Sequence, residues 1–228
     1  MSPYYEGRGI TIYHADCREI LPQIQKSSID VLLTDPPYGI RYQSRRRTRA
    51  GGLPTRILAD ETLNVLRDVL PATDLLMKPD RHAYVFAAPM RIGEVAEAMA
   101  EYWRVKNVLV WDKGNAGGPG DCFAGYASNW EAIVYANKGR RPLLGPRPRS
   151  IYRYDWQAQR DPVHPTVKPA GVMRWLLAKS SAPGEVLLDP FMGSGVALQA
   201  AAELGRKAIG IELEERYCEA AVARLCAA

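Results

Sequence analysis

One stretch limits the fold of this chain more than any other: Ile29 to Tyr42, IDVLLTDPPYGIRY. Its apolar run has the length and composition of a buried strand, yet it stops on a carboxylate and two prolines, which cannot extend a sheet's hydrogen bonding. An aspartate at the carboxyl tip of a strand lies where open α/β sheets bind their ligands. The stretch therefore predicts both a sheet and the edge of that sheet at which chemistry takes place.

Further along, the same grammar repeats with helical patterns between the strands. ITIYHA (from Ile10), CREILPQI and DVLLTD read as strand, short helix, strand, and Asp60 to Met77 has helical spacing with Pro71 forcing a break or kink. His82 to Ala88 reads as a buried strand and Met90 to Trp103 as an amphipathic helix. VKNVLVWD and NWEAIVYAN follow as two strands, separated by a glycine-rich loop. After an irregular Arg- and Pro-rich segment, Gly139 to His164, come a helix from about Pro169 to Lys179, a strand (EVLLDPF), a helix (SGVALQAAAELG), a strand (KAIGIEL) and a last helix. Strands alternating with helices argue for an α/β fold with a mostly parallel, doubly wound sheet. At 228 residues, 47% of them hydrophobic, one substantial core is expected, with residues 1–228 as a single domain and residues 41–58 and 140–163 as loops within it.

The cysteines, Cys17, Cys122, Cys218 and Cys226, have neither CxxC spacing nor neighbouring histidines, so neither a zinc site nor a disulfide scaffold is indicated. No metal is expected. The N-terminus lacks a charged region leading into an apolar one, and nowhere do eighteen apolar residues run together. A cytoplasmic protein without a membrane span is the expectation.

The first chemical signal is VLLDPFMGSGVALQAAAELGRKAIGIELEE. A strand delivers Asp189, a turn holds Gly193 and Gly195, a helix begins at once, and the next strand ends in Glu212, seventeen positions beyond Gly195. Glycines at such a turn let backbone approach a ligand closely, the helix start presents unpaired N–H groups, and an acid at the next strand tip is placed to accept both hydroxyls of a ribose. The alternative is a tight turn with nothing bound. The pyrophosphate fingerprint of dinucleotide enzymes is incomplete, because Leu198 stands where its third glycine would fall. A cofactor with a positive centre and no phosphates, S-adenosyl-L-methionine, suits Asp189 better than a nicotinamide does.

The tip of TDPPY is rich in acceptors. Asp35 contributes a carboxylate, Pro36 a carbonyl without an N–H, and Pro37 stiffness. A group with two N–H donors, an amine, is the natural complement, and Tyr38 adds a flat face on which a base can stack.

DPPY (Asp35 to Tyr38), HPTVKP (His164 to Pro169) and DPFMGSG (Asp189 to Gly195) together resemble the amino-methyltransferases of DNA, which methylate adenine N6 or cytosine N4 with S-adenosylmethionine. Their order, catalytic motif first and cofactor turn last, resembles the circularly permuted beta group, and the likeness spans nearly the whole chain. The resemblance implies a Rossmann-like methyltransferase fold with an antiparallel strand in its sheet. It implies that Asp35 and the Pro36 carbonyl bind the target amine and that Tyr38 stacks on the extruded base. Asp16, with Cys17 beside it, would meet the cofactor's adenine. Asp189, Pro190, Phe191, Gly193, Ser194 and Gly195 would line its methionine and ribose portion and Glu212 would hold the ribose, while Thr166 and Lys168 would close over the methionine end. An aspartate at position 35 tilts the choice of base toward adenine, serine being commoner in cytosine-N4 members.

Thirty Lys plus Arg against twenty-five Asp plus Glu give +5, and the excess is clustered. Arg41, Arg45, Arg46, Arg47, Arg49 and Arg56 follow the catalytic tip, and Arg147, Arg149 and Arg153 lie in the second basic segment. Phosphate contacts to double-stranded DNA are the functional reading; a solvated charged loop is the bland one. Tyr152, Tyr154 and Trp156 interleave with the second set, either to stack on unpaired bases or to pack on their own loop. Larger members of the family carry an extended recognition region that is short here, and a homodimer would compensate for it. A relative that binds nucleic acid without catalysis is the alternative from another class.

Overall fold

A computed structural model describes residues 2–37, 64–114, 124–154 and 168–227. Among these, the strands are β1 (Tyr5–Gly7), β2 (Ile10–His14), β3 (Ile29–Thr34), β4 (Met77–Ala87), β5 (Arg104–Asp112), β6 (Trp130–Lys138), β7 (Ile151–Arg153), β8 (Val186–Asp189) and β9 (Lys207–Glu212). The helices are α1 (Cys17–Ile20), α2 (Asn64–Leu76), α3 (Ile92–Ala100), α4 (Ala170–Ser180), α5 (Val196–Glu203) and α6 (Glu215–Ala227). One sheet takes all the strands in the order β1-β2-β9-β8-β3-β4-β6-β5-β7. β2, β9, β8, β3 and β4 run parallel, β6 is antiparallel to both β4 and β5, and β1 turns back on β2. β3 and β8 pair although the partners are 156 positions apart in sequence, Val31 opposite Leu187 and Leu32 opposite Leu188, so the two Asp-Pro tips emerge side by side.

Both faces of the sheet are covered, which is why β3 reads as a continuous apolar run. Val31 and Leu33 face one way, with Tyr84 and Phe86, onto Val172 and Leu176 of α4, Leu198 of α5 and Leu225 of α6. Leu32 and Val85 face the other way, onto Ile20 of α1, Leu66 and Leu70 of α2 and Val95 and Met99 of α3. Burying each such side chain contributes roughly 1.5–3 kcal/mol.

Pro71 does not end its helix. It stands inside α2 on the exposed face, as does Arg67 one turn earlier, so the carbonyl that loses its intrahelical donor is on the solvent side. β4 begins five residues earlier than its apolar run, at Met77, because it pairs with Ile29 before the irregularity between Ile29 and Val31. β1 and β7 are three-residue edge strands that carry no period of their own.

β7 decides the fate of two aromatics. Tyr152 stacks on Trp175 of α4 with ring centroids 4.6 Å apart, and Tyr154 lies against Gly171, where a Cβ would come within 2.2 Å of its ring. Both are committed to the core beneath α4; Trp156 lies outside the described residues.

At the amino-terminal edge of the sheet, Asp30 is buried and closes a charge cluster. Lys78 Nζ lies 2.8 Å from Oδ2, Arg81 2.9 Å from Oδ1, and Val186 N–H donates to Oδ2 at 3.0 Å. Glu185 extends the cluster to Arg141 at 2.7 Å. Burial pushes the Asp30 carboxyl up, but the bonds from Lys78, Val186 and Arg81 outweigh it and hold it below the usual range. A lowered folded pKa stabilises above the unfolded value and loses that stability as pH falls through the folded one. No helix among the described residues is long and apolar enough to cross a membrane. Asp30→Asn is expected to cost about 3 kcal/mol at pH 7, since it strands two cations in a partly buried site. Thermal melts at pH 7 and pH 3 check this: the gap between variant and wild type narrows at the lower pH.

Candidate active site

Parallel strands deliver their carboxyl tips to one edge, and here they deliver acids. Asp35 and Pro36 follow β3, Asp189 ends β8, Glu212 ends β9, Asp16 follows β2, and Glu131 enters the same edge at the start of the antiparallel β6. Thr34 Oγ1 donates to Asp189 Oδ1 at 2.7 Å, and Phe191 N–H donates to the same oxygen at 3.1 Å. The first bond ties the tip of β3 to the glycine turn. Burial, with the charges of Asp35 and Glu212 added to it, pushes the Asp189 carboxyl up to about 7 against those two hydrogen bonds.

Glu212 organises the turn itself. Gly193 N–H donates to its Oε2 at 3.0 Å and Glu214 N–H to its Oε1 at 2.8 Å; burial raises its pKa despite both. Gly195 has φ +74 and caps α5, and a Cβ there would lie 2.6 Å from Ala221 of α6, so both conformation and space demand glycine. Around Gly193, by contrast, a Cβ would meet nothing within 4 Å among the described residues. Of these residues, none packs on the front of the turn at Gly193, while α6 packs behind it at Gly195. Pro190 and Ser194 are buried in that turn, and the Ser194 carbonyl accepts from Arg224 Nε at 3.0 Å.

Asp16 caps α1, accepting from Arg18 N–H at 2.9 Å, and its other oxygen lies 2.6 Å from the Arg18 guanidinium. Ala15 N–H bonds the Glu212 carbonyl at 3.0 Å, which sets Asp16 beside Glu212. Cys17 is buried under it, and burial, helped by the Asp16 charge, pushes its thiol up to about 12. A thiol so placed is no nucleophile.

Lys168 is where the site gains a part that its spacing did not announce. Its ammonium, almost wholly buried, lies 2.6 Å from Asp35 Oδ2 and 2.9 Å from Glu131 Oε2, above the Phe86 ring at 5.3 Å. Lys113 Nζ lies 2.7 Å from the other oxygen of Glu131. Burial alone would lower the Lys168 pKa, but Asp35 and Glu131 raise it above the lysine value; burial alone would raise that of Glu131, but Lys168 and Lys113 bring it down. Lys168 and Glu131 each favour the charged form for that reason. Glu131, Lys113 and Thr34 were missed from sequence; the available signal was a glutamate opening an otherwise apolar strand. Lys168 itself, expected over the cofactor's methionine end, directs its charge at the Asp35 carboxylate.

Arg147, Arg149 and Arg153 are exposed on and before β7. Tyr38, Arg41, Arg45, Arg46, Arg47, Arg49, Arg56, Cys122, His164 and Thr166 lie outside the described residues. Among the described residues there is no cluster of three His, Cys, Asp or Glu able to hold a metal ion.

With this geometry in view, the likeness to known proteins is informative. The N6/N4 DNA methylase family model matches residues 29–223. The chain is similar to the type II methyltransferase M2.LlaDCHI of Lactococcus lactis subsp. cremoris, 26% identical over 98% of this chain and 91% of that protein. Among solved structures it is similar to M1.HpyAVI in complex with S-adenosylmethionine (TM-score 0.73, 25% identity, 95% of this chain and 99% of that one). In fold it also matches the cytosine-N4-specific PvuII DNA methyltransferase (TM-score 0.80, 17% identity, 97% of this chain and 88% of that one). The chain belongs to the N6/N4 DNA methylase family.

Asp189 offers a test of the site's electrostatics. Its folded pKa near 7 exceeds the unfolded value near 3.9, so its contribution is fully present below about pH 4 and lost as pH rises through 7. Cofactor-free wild-type protein is expected to lose melting temperature from pH 5 to pH 8, and Asp189→Asn, which keeps the acceptor for Thr34 and Phe191, to lose clearly less. Parallel melting curves for the two proteins would contradict this.

Proposed function

We propose that this chain is a DNA adenine-N6 methyltransferase that uses S-adenosyl-L-methionine. The observation that carries the reading is the pairing of β3 with β8, which sets the Asp35–Pro36 acceptors beside the acid-lined, glycine-fronted turn of Asp189 and Glu212. That turn suits a cationic nucleoside. Two buried carboxylates with raised pKa values, Asp189 and Glu212, gain from a nearby positive charge, and among the described residues nothing fills the space at Gly193. Glu212 would hold the ribose, Asp16 and Cys17 would lie by the adenine, and Asp189, Pro190, Phe191, Gly193, Ser194 and Gly195 would line the rest, with Thr166 and Lys168 at the methionine end. Bound there, the cofactor supplies an electrophilic methyl group on a positive sulfonium.

The work of this chain is on the amine. The exocyclic nitrogen of adenine is a poor nucleophile because its lone pair is delocalised into the ring. Asp35 and the Pro36 carbonyl accept its two hydrogens, which draws the nitrogen toward tetrahedral geometry and returns the lone pair to it. The Asp35 carboxylate stabilises the positive charge that the nitrogen acquires. Pro37 stiffens the tip, and Tyr38 stacks on the base. Because the amine is out of reach within a duplex, the base must leave the stack. Arg41, Arg45, Arg46, Arg47, Arg49, Arg147, Arg149 and Arg153 serve as phosphate contacts to double-stranded DNA, positioning without reading sequence. Aspartate rather than serine at position 35 supports adenine over cytosine.

Incubation of double-stranded DNA with protein and labelled cofactor, followed by mass spectrometry of nucleosides, is expected to give N6-methyladenine. N4-methylcytosine would reassign the base, and cofactor binding without transfer would make the chain a non-catalytic relative. Asp35→Ala is expected to lower turnover by about 10²–10³-fold, the scale for one aimed electrostatic group, with cofactor affinity little changed. Substantial activity in that variant would sink the mechanism.

A further inference from the structure

Asp35 has to accept the target amine, yet in this structure a different nitrogen donor stands on it. Lys168 Nζ lies 2.6 Å from Asp35 Oδ2, the distance of a strong charge-assisted bond. An ammonium in that position competes with the incoming amine for the same oxygen. It also opposes the positive charge that builds on the amine during attack. The lysine cannot retreat to water without leaving a nearly closed site, since its side chain is only 9% exposed.

A second carboxylate stands ready within reach. Glu131 Oε2 is 2.9 Å from the same ammonium, is fully buried, and has no aligned hydrogen bond among the described residues. Its other oxygen is held by Lys113 at 2.7 Å, and Lys113 rests 5.2 Å from the Trp111 ring centre. The Glu131 carboxylate is thus pinned on one side and underused on the other. Phe86 beneath Lys168, at 5.3 Å, gives the ammonium an aromatic face along which to shift.

We infer that Glu131 is a positioning residue that draws Lys168 off Asp35 when the target amine docks, so that Asp35 exchanges an ammonium for the amine without a buried charge losing its partner. The inference rests on the amine-methylating role proposed for Asp35. It assigns Glu131 no contact with substrate: it acts through Lys168. Without that carboxylate, the balance between the two described ion pairs of Lys168 tips to Asp35, and the ammonium stays on the oxygen that the amine needs.

The test is a double-mutant cycle read in steady-state kinetics on double-stranded DNA, with cofactor affinity and thermal melting measured for every variant. Glu131→Gln is expected to lower kcat at least tenfold, with KM for DNA and cofactor affinity within about twofold of wild type. In the Lys168→Met background the same substitution is expected to cost less than twofold, because no ammonium remains to be drawn away. A merely structural role for Glu131 predicts equal losses in both backgrounds, and that result, or an unchanged kcat in Glu131→Gln, would overturn the inference. Should Glu131→Gln fail to fold, Glu131→Asp keeps the charge but withdraws it by one methylene. It is expected to show a smaller kcat loss, again suppressed by Lys168→Met, and additivity there would be equally damaging. Wild-type transfer in the same assay reports on the proposed function by itself, so its failure is distinct from a failure of the cycle.

Discussion

Everything at the working edge of this sheet follows from crowding carboxylates at the tips of adjacent strands. Two like charges 4 Å apart repel by about 4 kcal/mol at an effective dielectric of 20, and Asp35, Asp189, Glu212 and Glu131 all converge on one edge. The chain answers half of that demand. Lys168 and Lys113 neutralise Asp35 and Glu131 as an alternating row of charges across β3, β4, β6 and β5. Asp189 and Glu212 make no ion pair among the described residues and respond by holding their protons more tightly. The uncompensated half of the edge is where a positively charged ligand gains most, and the compensated half is where, on the proposed reading, an amine would displace a cation.

The opposite edge shows what the same chemistry looks like when nothing has to bind. Asp30 and Glu185 are likewise acids at strand ends, but Lys78, Arg81 and Arg141 satisfy them. Neither of these two acids is left to recruit a ligand. One sheet therefore carries a closed charge cluster at its amino-terminal edge and an open one at its carboxyl edge, and strand direction alone decides which acid belongs to which.

Much of this was legible before any coordinates. Runs such as VLLTD and VLLD carry their own strand length and their own terminal acid, and the glycine turn before α5 signals itself through Gly193 and Gly195. What resisted reading was whatever depends on a partner distant in sequence. β1 and β7 are too short to show alternation and exist because β2 and β5 offer them edges. Pro71 reads as a break or kink, yet it and Arg67 lie on the exposed face and α2 continues through it. Tyr152 and Tyr154 look like stacking platforms in a basic loop until α4 supplies Trp175 and a bare Gly171 to receive them. Glu131 is a glutamate opening an apolar strand, and only the sheet order shows it 2.9 Å from a lysine 37 positions away.

The pinning of those two tyrosines bears on how the chain would meet DNA. Alternation along β7 turns Tyr152 inward and Arg153 outward, so the strand that packs on α4 also presents its arginine on a fixed platform at the margin of the sheet. Val110, Trp111 and Asp112 of β5 hold β7 in register, and the Trp111 indole N–H bonds the Tyr154 carbonyl at 3.0 Å. Trp111 also lies under Lys113, which pairs with Glu131. The exposed arginine of β7 and the lysine row beside Asp35 therefore rest on one shared indole. On the roles proposed above for Arg153, Glu131 and Asp35, a phosphate at Arg153 would be registered through Trp111 against Glu131, and backbone docking and the release of Asp35 would be properties of a single packed unit rather than of two independent loops.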